Sequence, residues 1–394
     1  MVMATFQYAA KQPPRYLAAD VLNDLAKKMV FIGGPRQCGK TTLVRTLLSD
    51  HFAERGTYLN WDADDDRRII LKKRWPRDAA LVAFDELHKF PKWKRWIKGL
   101  YDTRPPEQNF VVTGSARLDV YRRGGDSLLG RYHYWRLHPF TLSECPANMT
   151  MEEALRRLLT IGGFPEPFLE GDETFARRWR RERMDRVLRD DVRDLESVRN
   201  IQSLGLFVEA LRSRVSSTVV LGNIATDLSI SPTTLKAWLE VLERMYLVFT
   251  VPPLTRDLPR AVRKPPKVYF FDTGDVVGDE GARFENVVAT ALLKRLHYLE
   301  DKFGYRYELR YLRDKEGREV DFVILRENSV HELIECKYGD TTPSSHLRYY
   351  AEKLKPRHVY QVVARPTQRL SAGPISIVDA REFLAVPESS LSPE

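Results

Sequence analysis

"MVFIGGPRQCGKTTLVRTLL", residues 29–48, decides the fold. An apolar run leads into a glycine-rich turn and then into an amphipathic segment, the pattern of strand, loop and helix. Inside it, Gly34 to Thr41 fit G-x-x-x-x-G-K-[ST] in the setting that gives this spacing its meaning. Glycines let backbone N–H groups close around phosphate oxygens. Lys40 would neutralise β/γ charge, and the Thr41 hydroxyl would ligate Mg²⁺. The free amides at the start of the next helix add to the anion site. The expected nucleotide contacts are Gly34, Pro35, Arg36, Gln37, Cys38, Gly39, Lys40, Thr41 and Thr42, with ATP and Mg²⁺ as cofactors.

Working outward, "TYLNWD" (57–62), "ALVAFDE" (80–86) and "NFVVTGS" (109–115) are further apolar runs. They alternate with helical stretches such as "KWKRWIKGLYD", which predicts a parallel sheet with helices on both faces over residues 1–148. Asp85, at the end of its run, can hold the Mg²⁺ shell, and Glu86 beside it can activate the attacking water. Thr113 and Ser115 sit at the tip of another buried run. They either sense the γ-phosphate or cap the strand end. Arg131 is the candidate arginine finger, a group often supplied in trans, with Arg117, Arg122 and Arg123 as rivals; each reads equally as a surface arginine.

Downstream, residues 149–215 read as a helical lid or linker. "LGNIATDLSISPTTLKAWLEVLERMYLVFTV" reads as two helices around a turn at 229–232, then a strand, within a unit set at 216–267. Ile224, Ala225, Leu228, Leu235, Trp238, Leu239 and Leu242 take core spacing. Ser231, Thr233, Thr234 and Lys236 would face a phosphate backbone or a groove, or the module binds protein. Arg256, Arg260, Arg263, Lys264 and Lys267 form a basic loop that either tracks a phosphate backbone or is simply solvated. From 268 to 386 a mixed α/β domain is expected, opening with the strand "VYFFDTG". Residues 387–394 are expected to be disordered.

Taken together, "GPRQCGKTTL", "FDELHKF", "VVTGSARLD", "GRYHYWRLHPFTLSE", "GGFPEPF" and "KVYFFDTG" resemble the AAA-type ATPases of bacteria and archaea whose ATPase domain is fused to a C-terminal domain of unknown function. The resemblance spans nearly the whole chain. It implies an α/β protein with an N-terminal P-loop AAA-type parallel sheet, a middle helical and winged-helix region, and a nuclease-like C-terminal fold.

In that last domain, Asp321 in "REVDFVI" precedes Glu335 and Lys337 of "HELIECKYGD" at hairpin spacing. D-x13-E-x-K resembles the PD-(D/E)XK nuclease superfamily, and Glu285 resembles the additional acidic residue those enzymes carry on their first helix. The resemblance implies Mg²⁺ on Asp321, Glu335 and Glu285, with Lys337 stabilising phosphorane-like charge; Glu319, two residues before Asp321 on the same strand face, could be a further ligand. Three readings stay open: a nuclease, a fold that now only binds DNA, or an exposed ion-pair face.

Net charge, +9, favours a polyanionic partner, nucleic acid first. The apolar runs are too short to cross a membrane and no secretory leader is evident. Three scattered cysteines show no zinc-ligand spacing and do not suggest a disulfide framework, so a reducing cytoplasm is expected. The function these features predict is a Mg²⁺-dependent ATPase acting on DNA, branched DNA included, as a homo-oligomer. The alternative is an ATP-regulated switch that binds a protein partner through an inactive nuclease-like domain.

Overall fold

The computed structural model describes residues 15–114, 128–188, 200–255, 265–366 and 374–393. The chain divides into two compact units, 1–139 and 140–394. Among the described residues, no helix is long and apolar enough to cross a membrane.

In the first unit the order is α1 (Ala18–Leu25), β1 (Met29–Gly33), α2 (Lys40–Leu47), β2 (Gly56–Asn60), α3 (Asp64–Lys72), β3 (Leu81–Asp85), α4 (Trp93–Asp102), β4 (Asn109–Thr113) and β5 (Tyr132–Arg136). All five strands run parallel in the order β2-β3-β4-β1-β5. Strands β1 and β3 are buried along their whole length, which is why they read as unbroken apolar runs. The edges β2 and β5 are partly exposed. Strand β5 is not among the runs singled out above, because an edge strand keeps polar residues on its open face. Phe31, Phe84, Phe110 and Val112 pack against Trp93, Ile97 and Leu100 of α4. Val30 and Ile32 point to the opposite face of the sheet, and α1 also packs on β1.

This unit ends at Pro139, earlier than the boundary at 148. The Phe140 N–H donates to the Gly163 carbonyl (2.7 Å), and the Lys294 ammonium reaches the Thr141 hydroxyl (2.9 Å) and Glu144 (2.6 Å). Residues 140–144 therefore belong to the second unit.

The second unit begins with α5 (Met151–Thr160), α6 (Pro165–Glu170), α7 (Glu173–Arg186) and α8 (Ile201–Arg212). The charged stretch 189–199 lies outside the described residues. Next come α9 (Leu221–Leu228) and α10 (Pro232–Arg244), joined by a turn in which Ser229 is left-handed (φ +55°). The Ser231 hydroxyl accepts from the Thr234 N–H (3.1 Å), so it caps α10 and is not free to contact a groove. Ile224, Ala225, Leu235, Trp238, Leu239 and Leu242 are buried, as their spacing predicts. Leu228 is only partly so.

Strand β6 (Val248–Val251) pairs antiparallel with β7 (Lys267–Phe270). The strand expected to open the last domain instead closes a two-stranded ribbon beside α10. A boundary at 267/268 would cut through it. The long helix α11 (Glu280–Phe303) then precedes β8 (Tyr307–Arg313), β9 (Glu319–Arg326), β10 (Ser329–Lys337), α12 (Ser345–Leu354), β11 (His358–Val363), β12 (Ser376–Asp379) and α13 (Ala380–Leu384). The sheet order is β12-β11-β10-β9-β8. Strands β8 to β10 are antiparallel, and β11 and β12 continue parallel to β10. Glu327 and Asn328, both at positive φ (48° and 66°), close the β9–β10 hairpin, a backbone that matches the twist of the strands.

Residues 387–393 are ordered where disorder is expected. Glu388 is buried, accepts from the Ser143 hydroxyl (2.8 Å) and lies 3.2 Å from the Lys294 ammonium. A fully buried ammonium needs compensating charge, and the tail brings the second carboxylate.

Two motifs distant in sequence form one junction. Gly162 of "GGFPEPF" has φ +99°, and a Cβ there would lie 1.7 Å from the Asp272 carboxylate of "FFDTG". We expect Gly162→Ala to combine left-handed strain with this clash, at about 3 kcal/mol, and to lower the thermal midpoint of this unit by roughly 6–12 °C in calorimetry. An unchanged midpoint would show that Asp272 swings aside freely.

Candidate functional site

The first unit places its polar chemistry at the carboxyl ends of β1, β3 and β4. Strand β4 lies between β1 and β3, so Thr113 at its tip stands beside Asp85 at the tip of β3. The phosphate loop leaves β1 and turns through left-handed residues at Gln37 (φ 61°) and Gly39 (φ 95°). Gly34 is required for space: a Cβ would lie 2.2 Å from the Leu137 carbonyl oxygen at the end of β5. Arg15, itself buried, donates to the carbonyls of Cys38 and His138, bracing the loop against the end of β5. Sequence reasoning missed Arg15, since nothing local marks it.

Lys40 is buried, and its ammonium donates to the carbonyls of Pro35 (2.6 Å) and Gly34 (3.0 Å). Among the described residues, its third donor finds the Cys38 sulfur, at 4.0 Å, for which a phosphate oxygen would be a stronger partner. Among the described residues, no side chain caps the start of α2, which leaves its first amides for an anion.

Asp85 is the hub. Its carboxylate accepts from the hydroxyls of Thr41 (2.7 Å), Tyr58 (2.5 Å) and Thr113. Burial pushes its pKa up, but the three hydroxyls and the Lys40 charge outweigh that and hold it below the usual carboxylate range. Tyr58 is driven the other way, by burial first and then by Asp85. Tyr58 was not foreseen. It lies two positions before Asn60, the strand partner of Asp85, and only the register of β2 on β3 brings it close. A hydroxyl and an ionised carboxylate side by side next to Lys40 are the donor set Mg²⁺ takes with a nucleotide, so the residues present fit ATP and Mg²⁺.

Glu86 sits in a left-handed turn (φ 56°), with its N–H donating to the Thr113 carbonyl (3.1 Å). Its carboxylate lies 3.4 Å from the Lys89 ammonium. A non-glycine residue in this conformation stores about 1 kcal/mol or more, the kind of outlier that gathers at working sites. Arg131 is not brought to the loop's lysine or to Asp85. It makes a two-pronged pair with Asp102 of α4 (2.7 and 3.1 Å), partly exposed. Ser115, Arg117, Arg122 and Arg123 lie outside the described residues.

In the second unit, the β9–β10 register (Ile334 opposite Phe322) sets Asp321 and Glu335 one step further along. The Asp321 carboxylate accepts from the Cys336 N–H (2.9 Å). Glu335 pairs with Lys337 (2.9 Å), while its second oxygen is buried with no hydrogen-bond partner among the described residues. Glu285, on α11, accepts from Tyr269 (2.6 Å) and Ser216 (2.5 Å).

Lys267 departs most from expectation. It is 1% exposed, not part of a solvated basic loop, and its ammonium lies 2.6 Å from Glu319, 3.0 Å from Glu285 and 3.4 Å from Asp321. Those are three of the carboxylates expected around Mg²⁺, and the Lys267 ammonium lies among them. Among the described residues, no three His, Cys, Asp or Glu side chains are arranged to hold a metal ion. The cluster as built does not fit one. Of the other basic-loop residues, Arg256, Arg260, Arg263 and Lys264 lie outside the described residues.

Comparison with known proteins gives the class. Residues 26–145 match the family model described as "AAA domain". The N-terminal part of the chain is thus an AAA-type domain. Residues 152–277 and 280–379 match two families described as domains of unknown function, DUF8612 and DUF4143. An uncharacterized protein of Methanocaldococcus jannaschii is 24% identical over 365 residues, 84% of this chain and 80% of its own length. An uncharacterized protein of Mycobacterium tuberculosis is 24% identical over 263 residues, 62% of this chain, which spans about half (54%) of that relative. Among solved structures, AMPPCP-bound DnaA from Aquifex aeolicus superposes with a TM-score of 0.31 at 16% identity, covering 62% of this chain and 89% of that one. The RuvB Holliday junction branch migration motor of Thermotoga maritima gives 0.29 at 16%, covering 67% and 95%.

Burial first, and then the charge of Asp321, raise Glu335 from an ordinary 4.5 to about 7, against the pull of Lys337. Glu285 is raised to about 7 by the same two causes. The folded protein then keeps protons that the unfolded chain has released, so this unit loses stability as pH rises from about 4.5 to 7. We expect Glu335→Gln to remove one contribution, so that its thermal midpoint gains on the wild type between pH 5 and pH 8. A constant difference across that range would show that Glu335 is ionised throughout.

Proposed function

We propose that this chain is a Mg²⁺-dependent ATPase that couples nucleotide hydrolysis to the binding or remodelling of DNA. The observation that carries the first half is the hub at Asp85, which joins Thr41 of the phosphate loop to Thr113 at the tip of β4. Gly34, Gly39 and the uncapped amides of α2 would bind the phosphates, and Lys40 would neutralise them. Mg²⁺, when bound, supplies charge for the transferring phosphoryl group, and Thr41 and Asp85 would hold it. Glu86 would orient the attacking water. Arg131 would act on a neighbouring copy only after release from Asp102.

The DNA half is supported by the net charge of +9 and by the helix-turn-helix with its two-stranded ribbon, which we read as a winged helix. With Ser231 used as a cap, Thr233 and Lys236 on the exposed side of α10 remain for phosphate contact. The C-terminal unit is read as nuclease-like from its mixed sheet and from Asp321, Glu335 and Lys337. One observation favours a second reading, an ATP-regulated switch with an inactive docking domain: the buried Lys267 ammonium among those carboxylates.

The test is ATP hydrolysis with Mg²⁺ on no DNA, single strand, duplex, flap and four-way junction, with product lengths read from the same reactions. Lys40→Ala should lower hydrolysis about 100-fold or more. DNA-stimulated turnover supports the first reading. Hydrolysis that ignores every DNA, with no cutting, moves the assignment to the switch.

A further inference from the structure

We infer that Lys267 is a built-in replacement for a divalent metal ion, and that the carboxylate cluster of the C-terminal unit works without one. An ammonium has three donors. Lys267 has three carboxylates around it, Glu319 (2.6 Å), Glu285 (3.0 Å) and Asp321 (3.4 Å), one for each. The remaining oxygens are also engaged. Both oxygens of Glu285 accept hydroxyls, from Tyr269 and Ser216, and the second oxygen of Asp321 accepts the Cys336 N–H. Magnesium binds carboxylate oxygens at about 2.0–2.1 Å and keeps waters around itself. An ion that close to these oxygens would sit against a buried positive charge, and the two would repel strongly at low dielectric.

Lys267 is also fixed in place. It opens β7, pairs with Val251 across the ribbon and bridges to Thr218, while the next strand-side bond runs from the Val219 N–H to the Pro266 carbonyl (2.8 Å). This pairing holds the Lys267 backbone at the start of the ribbon, and burial of its side chain keeps the ammonium among the carboxylates. The arrangement is a permanent substitution, in which the ribbon beside the helix-turn-helix delivers the cation that balances the C-terminal sheet. The consequence is that this unit does not cut nucleic acid by metal-assisted hydrolysis. The inference is independent of the ATPase reading, and its test uses no nucleotide.

The experiment is calorimetric titration of the full chain with Mn²⁺, together with thermal midpoints with and without the ion. The wild type should bind no Mn²⁺ at this cluster and show no change of midpoint. Lys267→Ala and Lys267→Met should melt several degrees lower in EDTA, because three carboxylates are left unbalanced. They should bind one Mn²⁺ and recover part of the loss, and adding Asp321→Asn should abolish both effects. Two results overturn the inference: one Mn²⁺ bound by the wild type and lost in Asp321→Asn, or a folded Lys267 variant that binds none. Should neither variant fold, the wild-type titration against Asp321→Asn decides alone.

Discussion

One buried carboxylate organises the first unit. Asp85 accepts three hydroxyls, from Thr41 on the helix after the phosphate loop, from Tyr58 on β2 and from Thr113 on β4. A charge at this depth is tolerated only when hydrogen bonds replace the lost water. The same bonds therefore keep it ionised and pull three separate segments to the ends of the strands. The central strands run through a dry apolar core, so their tips are where polar groups can be gathered. Arg15 completes the frame by tying the loop to the end of β5. The loop's glycine at 34 is then forced by the nearby Leu137 carbonyl rather than by any ligand.

The second unit meets the same constraint with the signs reversed. Lys267 and Lys294 are buried ammoniums, and each gathers carboxylates from distant parts of the chain. Lys294 takes Glu144 and Glu388, which are far apart in sequence, and so anchors both ends of this unit. Lys267 takes Glu285, Glu319 and Asp321, and so joins the ribbon, the long helix and the sheet. Losing one partner of such a group leaves an uncompensated buried charge, typically 3–5 kcal/mol. Interactions of this kind discriminate strongly between the right and wrong packing of elements. That gives a physical reason for the presence of charged groups where apolar ones would pack as well.

The sequence by itself determined what depends on local pattern. The glycine spacing around Lys40, the buried runs of β1, β3 and β4, the turn between α9 and α10 and the β9–β10 hairpin all follow from residues within a few positions of each other. Periodicity and turn chemistry are short-range, so they are legible in one dimension. The pairing of Thr41 with Asp85 was approachable in the same way, because each belongs to a recognisable motif. What only the tertiary structure decided involves partners far apart in the chain. The role of Tyr58 depends on the register of an edge strand. The boundary at Pro139 and the ordered tail depend on one buried lysine. Lys267 looks like one more cation in a basic loop, and its neighbours look like metal ligands. Burial reverses the first reading, because a charge withdrawn from water must be balanced by whichever opposite charges the fold brings within reach.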